Sequence, residues 1–258
     1  MTSTRPAPGT YDPNAFRGRV GRPRGAWSGV YRLLLRSVAT KGRLVAVGLL
    51  SLALVVVAAS VGTRPYDTLV SATRFADSGL TLLLPVGCLV FASATLGDLI
   101  DDGSLVYLWL RPLSARVPVL CAWLVTVTIC LPLIGVPLFV SAVLMDGSAE
   151  LLSGITVSVL VGVATYSAIF VALGVRFRRA LIWGLAYILL WEGFVATAGA
   201  AAAKLAVRSY TRSILSEYTG VGIKLATMPL MTSIVVPLVV GVLALAYASH
   251  RLRTTDVA

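Results

Sequence analysis

The chain has 258 residues, of which 57% are hydrophobic and 13% are charged, and its mean hydropathy is +0.89. This composition lies outside the range of soluble globular domains and is typical of an integral membrane protein, whose apolar side chains face lipid. The formal charge of +11 does not indicate nucleic acid, because nine of the 22 Lys and Arg residues precede the first apolar stretch and the others flank the later ones. Basic residues at the ends of apolar stretches are typical of membrane proteins, in which they set the orientation of the spans.

The N-terminal 43 residues divide into a tail and a predicted helix. Residues 1–25 are rich in Pro, Gly and Arg, with little apolar surface to bury, and predict a disordered basic tail in the cytoplasm. Residues 26–43, which begin near Trp27, predict an amphipathic helix in the membrane interface, because basic and apolar residues occupy different helical faces. The alternative is a basic flank that only anchors the first span. The basic face carries Arg32, Arg36 and Arg43, and the apolar face carries Val30, Leu34 and Val38.

Six apolar stretches follow, and they predict an all-α domain of six transmembrane helices over residues 44–250. A hydrocarbon core of about 30 Å requires about 20 residues of helix, which each stretch approaches or exceeds. The third stretch contains PLIGVP, whose prolines predict a kink or a tilt. The approximate spans are 44–61, 80–96, 117–145, 151–175, 180–203 and 225–249.

The distribution of basic residues predicts the orientation of these spans. Sixteen Lys and Arg residues lie on the side that holds the N-terminal tail, the connector after the second span, the connector at 176–179 and the C-terminal tail at 251–258, and six lie on the other side. The positive-inside rule therefore places both termini in the cytoplasm, which agrees with an even number of spans. We expect a multi-pass protein of the plasma membrane, which in a bacterium is the inner membrane.

The connector between the second and third spans, GDLIDDGSLVYLWLRPLSARVP, is longer and more acidic than a simple return turn needs. Asp98, Asp101 and Asp102 oppose the basic excess expected on the cytoplasmic side, so anchoring alone does not explain them. A helix is expected to begin near Asp101 or Asp102, where a carboxylate caps free N–H groups, and to end at Pro112. Such a short amphipathic element suits docking into a groove of a partner protein. The alternative is an interfacial turn anchored by its tyrosine and tryptophan.

Residues 98–124, DLIDDGSLVYLWLRPLSARVPVLCAWL, resemble the region between the second and third spans of ABC-2 type ABC transporter permeases. In that family an acidic residue precedes a Gly/Ser-Leu step, a leucine-rich run and an Arg-Pro-x-Ser-Arg turn. This chain carries Asp at position 98, where many members carry Glu. The resemblance implies that the connector is a coupling helix that contacts an ATPase. The residues to which it assigns this role are Asp98, Asp101, Asp102, Gly103, Ser104, Leu105, Leu108, Leu110, Arg111, Pro112 and Arg116.

The resemblance further implies a permease subunit that pairs with a second copy or a paralogue, giving twelve spans, and that exports its cargo. ATP and Mg²⁺ would bind a separate ABC ATP-binding subunit, and no cofactor is expected in this chain. The sequence lacks the phosphate loop G-x-x-x-x-G-K-[ST], so we expect no ATPase activity of its own. Membrane lipid is an expected partner, and nucleic acid is not.

Glu192 is the one charged residue inside the predicted spans, about 20 Å along the fifth. A charge at that depth is costly, so its side chain is expected to hydrogen-bond between helices or to line the translocation path, unless the span boundary is misplaced. Two other functions stay open: a proton-coupled secondary transporter that uses Glu192, and a non-transporting membrane scaffold. The single histidine, His250, lies at a span end and argues against a His-based metal site or a Ser-His-Asp triad.

Lys204, Arg208 and Arg212 recur every four residues in the long outer connector before the last span. A helix there would carry them as one stripe, and a solvated basic face is the simplest interpretation. The family resemblance implies that short helices in this connector close the outer end of the path.

Overall fold

A computed structural model describes residues 26–61, 68–101, 116–177, 179–194, 199–224 and 228–254. The regular structure within these ranges is entirely helical. Five of the helices described there are long and apolar enough to cross a membrane, namely the second, third, fourth, fifth and last. The described part of the chain is therefore an all-α, multi-pass, membrane-embedded protein. The helices are α1 (Ala26–Val38), α2 (Lys41–Val61), α3 (Thr68–Asp101), α4 (Arg116–Met145), α5 (Ala149–Arg176), α6 (Ala180–Glu192), α7 (Ala200–Ala203), α8 (Val207–Thr219) and α9 (Leu230–Thr254).

Helix α1 has the predicted separation of basic and apolar faces. Val30, Leu34 and Val38 are buried, and the helix packs against α4. Arg32 and Arg36 are exposed on another side. The apolar residues recur every four positions, which places them on one face of a helix with 3.6 residues per turn.

The first helix is shorter than predicted. It ends at Val38, so its predicted extension to residue 43 is wrong, and Arg43 belongs to α2. The carbonyl of Thr40 accepts the first hydrogen bond of α2, from the Leu44 N–H at 3.1 Å. Threonine is favoured at such a helix start. The periodicity of charge and hydrophobicity continues across this break, which is why the pattern alone predicts one longer helix.

Helix α5 forms the centre of the bundle and packs against α3, α8 and α9. Its glycines allow these neighbours to approach closely, as is common between membrane helices. A Cβ atom at Gly162 would lie 2.8 Å from a methyl of Leu84 and 3.2 Å from the methyl of Thr211. Of the 18 residues that make α5 a candidate span, 67% are buried, compared with 17% in α2 and in α9. Helices α2 and α9 are therefore peripheral.

The prolines of the third predicted span interrupt the α-helical hydrogen bonding of α4. Residues Leu131–Gly135 form a π-helical turn between two α-helical segments, Arg116–Cys130 and Val136–Met145. Proline has no N–H to donate, and a wider turn accommodates the missing bond. The Leu133 carbonyl in this turn accepts a hydrogen bond from the Ser51 hydroxyl at 2.9 Å. The irregular segment is thereby tied to α2.

The fifth predicted span, residues 180–203, is not one continuous helix, and this prediction is wrong. Helix α6 ends at Glu192 and is about 20 Å long, too short for a hydrocarbon core of about 30 Å. The turn residues Gly193 and Phe194 follow it, and α7 comprises only Ala200–Ala203. Residues 180–192 are apolar mainly through leucine, isoleucine and tryptophan, and residues 196–203 mainly through alanine. Hydropathy measures that apolar content and does not register where the helix breaks.

The second and sixth spans also differ from their predicted bounds. Helix α3 begins at Thr68, earlier than residue 80, and it contains both Arg74 and Asp77. Helix α9 begins at Leu230 rather than at residue 225. The sequence prediction starts the second span after these charges, whereas α3 already includes Asp77, whose carboxylate pairs with Arg212.

Candidate functional site

The residues predicted to contact an ATPase lie around the connector between α3 and α4. The backbone of α3 continues through Asp98 and ends at Asp101, so a separate coupling helix does not begin at Asp101. Arg116 is the first residue of α4 and is exposed. The coupling helix itself stays a prediction. Its other residues lie outside the described part of the chain: Asp102, Gly103, Ser104, Leu105, Leu108, Leu110, Arg111 and Pro112.

The residues predicted to face the membrane surface lie on the exposed side of α1. Trp27 is 50% exposed, and Arg32 and Arg36 are exposed as well. The Tyr31 hydroxyl donates a hydrogen bond to Thr128 of α4 at 3.1 Å, which helps to hold α1 on the bundle. A helix with one buried side and one basic, aromatic side is suited to the membrane interface. That location stays a prediction.

Glu192 lies in a closed polar cluster at the end of α6. Its carboxylate accepts a hydrogen bond from the Tyr166 hydroxyl at 2.5 Å and a second from the Tyr187 hydroxyl at 3.2 Å. The backbone N–H of Arg208 is a third donor that faces it. Glu192 is only 1% exposed. Its oxygens are therefore satisfied by donors within the protein rather than by water.

A π-helical turn explains why Tyr187 and Glu192 meet. They are the first and last residues of the π segment that ends α6. In an α-helix, residues five apart point about 140° away from each other, since each residue turns by about 100°. The wider π turn brings them toward the same side. Phe170 adds an apolar wall, with its ring centroid 5.8 Å from that of Tyr166 and 6.2 Å from that of Tyr187.

The cluster lies near the middle of the central helix. Tyr166 is about 26 Å along α5 from Ala149 and about 15 Å from Arg176, at 1.5 Å per residue. Of the expectations for Glu192, the hydrogen bond between helices is present, because Tyr166 belongs to α5 and Glu192 to α6. A role in the translocation path stays a prediction.

Helix α8 begins at this cluster and runs along α5 toward Ala149. The Ser158 hydroxyl donates a hydrogen bond to the Thr211 carbonyl at 3.1 Å. About one turn closer to Ala149, a Cβ at Gly154 would lie 3.3 Å from a methyl of Leu215. Thr211 of α8 contacts Ser158 of α5, and the later residue Leu215 contacts the earlier residue Gly154, so the two helices are antiparallel. The first turn of α8 is consequently at the level of Glu192.

The predicted solvated stripe of Lys204, Arg208 and Arg212 is wrong. Lys204 precedes α8 and is exposed, whereas Arg208 is partly buried and Arg212 binds α3. The Arg212 Nε and Nη2 atoms donate to the two carboxylate oxygens of Asp77 at 2.6 and 2.9 Å, and Nη2 also donates to Thr81 at 3.2 Å. Both charged side chains are 14% exposed. This bidentate pair joins α8 to α3 instead of facing water.

Sequence reasoning missed the partners of these charged residues. Tyr166 is 26 positions from Glu192, and Asp77 is 135 positions from Arg212. The available signal was general: a tyrosine in an apolar stretch and an acid near a span both require polar partners. The sequence contains many polar residues that are suitable as such partners. The packing of α3, α5, α6 and α8 selects these pairs.

Comparison with known proteins does not identify a family. No protein-family model matches this chain, and no curated protein sequence matches it. The functional interpretation rests on the connector between α3 and α4 and on the arrangement of the helices.

Proposed function

We propose that this chain is the membrane-spanning permease subunit of an ATP-driven ABC-2 type transporter that exports its cargo. The observation that carries the proposal is the connector sequence DLIDDGSLVYLWLRPLSARVP, which runs from the last turn of α3 to the first turn of α4. Its acidic start, leucine-rich run and Arg-Pro end resemble the element through which such permeases contact their ATPase. The long apolar helices on both sides of the connector support the same proposal.

In this proposal the chain crosses the membrane six times, and two short helices make the fifth crossing. Helix α6 follows the Arg176 end of α5 and reaches the level of Tyr166, and α8 continues from there toward Ala149. Each is about 20 Å long, so together they exceed a hydrocarbon core of about 30 Å. Membranes tolerate such a broken helix where the interrupted backbone is buried in protein or lines a water-filled cavity. Phe194 and Leu205 at the break are exposed in the single chain, so in this proposal the second copy or the translocation path covers them. Both termini then face the cytoplasm, as the positive-inside rule predicts.

The proposed complex contains two further kinds of subunit. An ABC ATP-binding subunit binds ATP and Mg²⁺ and docks on the connector that links α3 to α4. A second copy of this chain, or a paralogue, completes the translocation path. ATP binding favours one arrangement of the ATPase over another, and the connector transmits that preference to α3 and α4 because it is continuous with both.

The geometry around Glu192 favours a structural role over proton transport. A proton-coupled carrier needs a carboxylate that exchanges protons with water. Glu192 is 1% exposed and accepts hydrogen bonds from Tyr166 and Tyr187. We therefore propose that Glu192 joins α5, α6 and the start of α8, and that the driving force comes from ATP.

The test is ATP hydrolysis by the purified complex in liposomes. Arg111→Ala and Asp102→Asn should each lower the permease-stimulated rate by about tenfold or more, because removing an interface residue of central importance costs at least about 1.4 kcal/mol. Glu150→Gln and Arg74→Ala are matched controls, since both residues are exposed and distant in sequence from the connector. Both controls should retain the full rate.

Cross-linking and driving-force measurements separate the alternatives. A photoreactive group at position 108 should label a nucleotide-binding subunit; labelling of lipid alone would contradict the docking role. Transport driven by a pH gradient in liposomes that contain only this chain would support the proton-coupled alternative instead. An intact partner complex without any ATP-dependent transport would support a scaffold.

A further inference from the structure

A groove lies between α4, α5 and α9. Its volume is about 1070 Å³, slightly above the range of about 300 to 1,000 Å³ that is usual for sites that hold small molecules. Helix α9 packs mainly against α5 and α8 and much less against α4, so α4 and α9 leave a gap between them. The walls are apolar over most of their length. They include Leu120, Ala168, Leu238, Gly241, Leu245 and Ala246.

One end of the groove is basic. Arg116 begins α4, and His250 and Arg253 lie near the end of α9; all three line the groove and are exposed. No carboxylate occurs among the described residues that line it. The two arginines therefore place at least two positive charges at one end of an otherwise apolar trough.

The side wall of the groove is open to the surroundings of the bundle. Val242 and Leu243 are 66% and 63% exposed, and Tyr247 is 50% exposed. On a membrane-embedded helix these side chains face lipid. An occupant can therefore enter sideways from the bilayer without passing through the protein.

We propose that this groove binds one anionic glycerophospholipid. The acyl chain lies along the apolar walls, and the phosphate binds Arg116 and Arg253, because guanidinium groups pair well with phosphate oxygens. Basic pockets between membrane helices on the cytoplasmic side favour anionic head groups. The positive-inside rule places the Arg116 end on that side. The lipid fills the space between α4 and α9 and so connects a peripheral helix to the bundle.

Native mass spectrometry of the full-length protein tests the proposal. The protein, together with any subunit that purifies with it, is mixed with phosphatidylglycerol or with phosphatidylcholine of the same acyl chains. We expect phosphatidylglycerol to remain bound preferentially. Each basic residue near an anionic head group contributes about fivefold to binding, so the double variant Arg116→Gln/Arg253→Gln should bind phosphatidylglycerol about 25-fold more weakly.

Two further variants separate the charge from the apolar walls. Arg74→Gln/Lys224→Gln removes the same charge from exposed residues that do not line the groove, and it should bind the lipid as the original protein does. Ala246→Trp fills the groove from an exposed position on α9 and should abolish retention of the lipid without unfolding the chain. A melting curve checks that each variant is folded.

Several results would overturn the proposal. Equal retention of phosphatidylcholine, or unchanged binding by the Arg116→Gln/Arg253→Gln variant, would mean that the groove takes any acyl chain. Inorganic phosphate that displaced the lipid at millimolar concentration would indicate an anion site without a lipid. A dimer in which a second copy covers the groove would assign it to subunit contact. The measurement is lipid binding, so none of these results depends on ATP-driven transport.

Discussion

Helices α5 and α2 are both apolar and both long enough to cross a membrane, yet they occupy opposite environments. Of their candidate spans, 67% is buried in α5 and 17% in α2. Helix α5 carries glycines and hydroxyl side chains that contact α3, α6 and α8, whereas much of α2 presents leucine and valine outward. Hydrophobicity thus determines that a helix enters the membrane. Small and polar side chains determine whether it lies at the centre, because lipid offers them neither close packing nor hydrogen bonds.

The largest expected difference between the two helices is the effect of removing one leucine side chain. Leu151 of α5 is fully buried, while Leu49 of α2 is 61% exposed. Leu151→Ala leaves a cavity and should lower the free energy of unfolding by about 2 to 5 kcal/mol. Leu49→Ala should change it by less than about 0.5 kcal/mol, as for a residue away from packed features. Unfolding in mixed detergent micelles measures both.

Leu160 sharpens this comparison because it belongs to the central helix but is 50% exposed. If burial decides the effect, Leu160→Ala should change the free energy of unfolding as little as Leu49→Ala does. If it were as destabilising as Leu151→Ala, position within α5 rather than burial would be responsible, and the contrast between the helices would need another cause.

The next largest effect concerns the ion pair that joins α8 to α3. Arg212→Met leaves Asp77 without its bidentate partner at 14% exposure. The cost should be about 2 kcal/mol, between the values for exposed and for fully buried pairs. Asp77→Asn in the same background should recover part of it, and a double-mutant cycle measures the coupling. If the free-energy change of the double variant equalled the sum of those of the two single variants, the two side chains would not stabilise each other.

The smallest effect concerns the end of α8. Gly220 has a φ of 66°, and a Cβ atom added there would meet no other atom within 4 Å, so the cost of Gly220→Ala arises from the backbone alone. That cost should be about 1 kcal/mol. Gly222 also has open space but no positive φ, so Gly222→Ala should be neutral. Equal melting temperatures for the two variants would argue that α8 does not end in a left-handed residue.

The sequence predicted well those features that depend on neighbouring residues. The alternation of Arg32 and Arg36 with Val30 and Leu34 predicted the two faces of α1, which the structure contains. PLIGVP predicted a kink or a tilt in α4; a π turn lies at Leu131–Gly135, and the kink or tilt itself stays a prediction. Prediction failed for residues 180–203, because a run of apolar residues has the same hydropathy whether or not its helix is continuous.

Composition and periodicity by themselves determined that this chain is helical, that it enters a membrane and which face of α1 is buried, since each depends on residues within a few turns of one another. Only the tertiary structure decided that Glu192 binds Tyr166, that Asp77 binds Arg212 and that α8 starts beside the middle of α5. A buried charge needs a partner, but the chain offers many. Packing of the helices brings one of them within hydrogen-bonding distance.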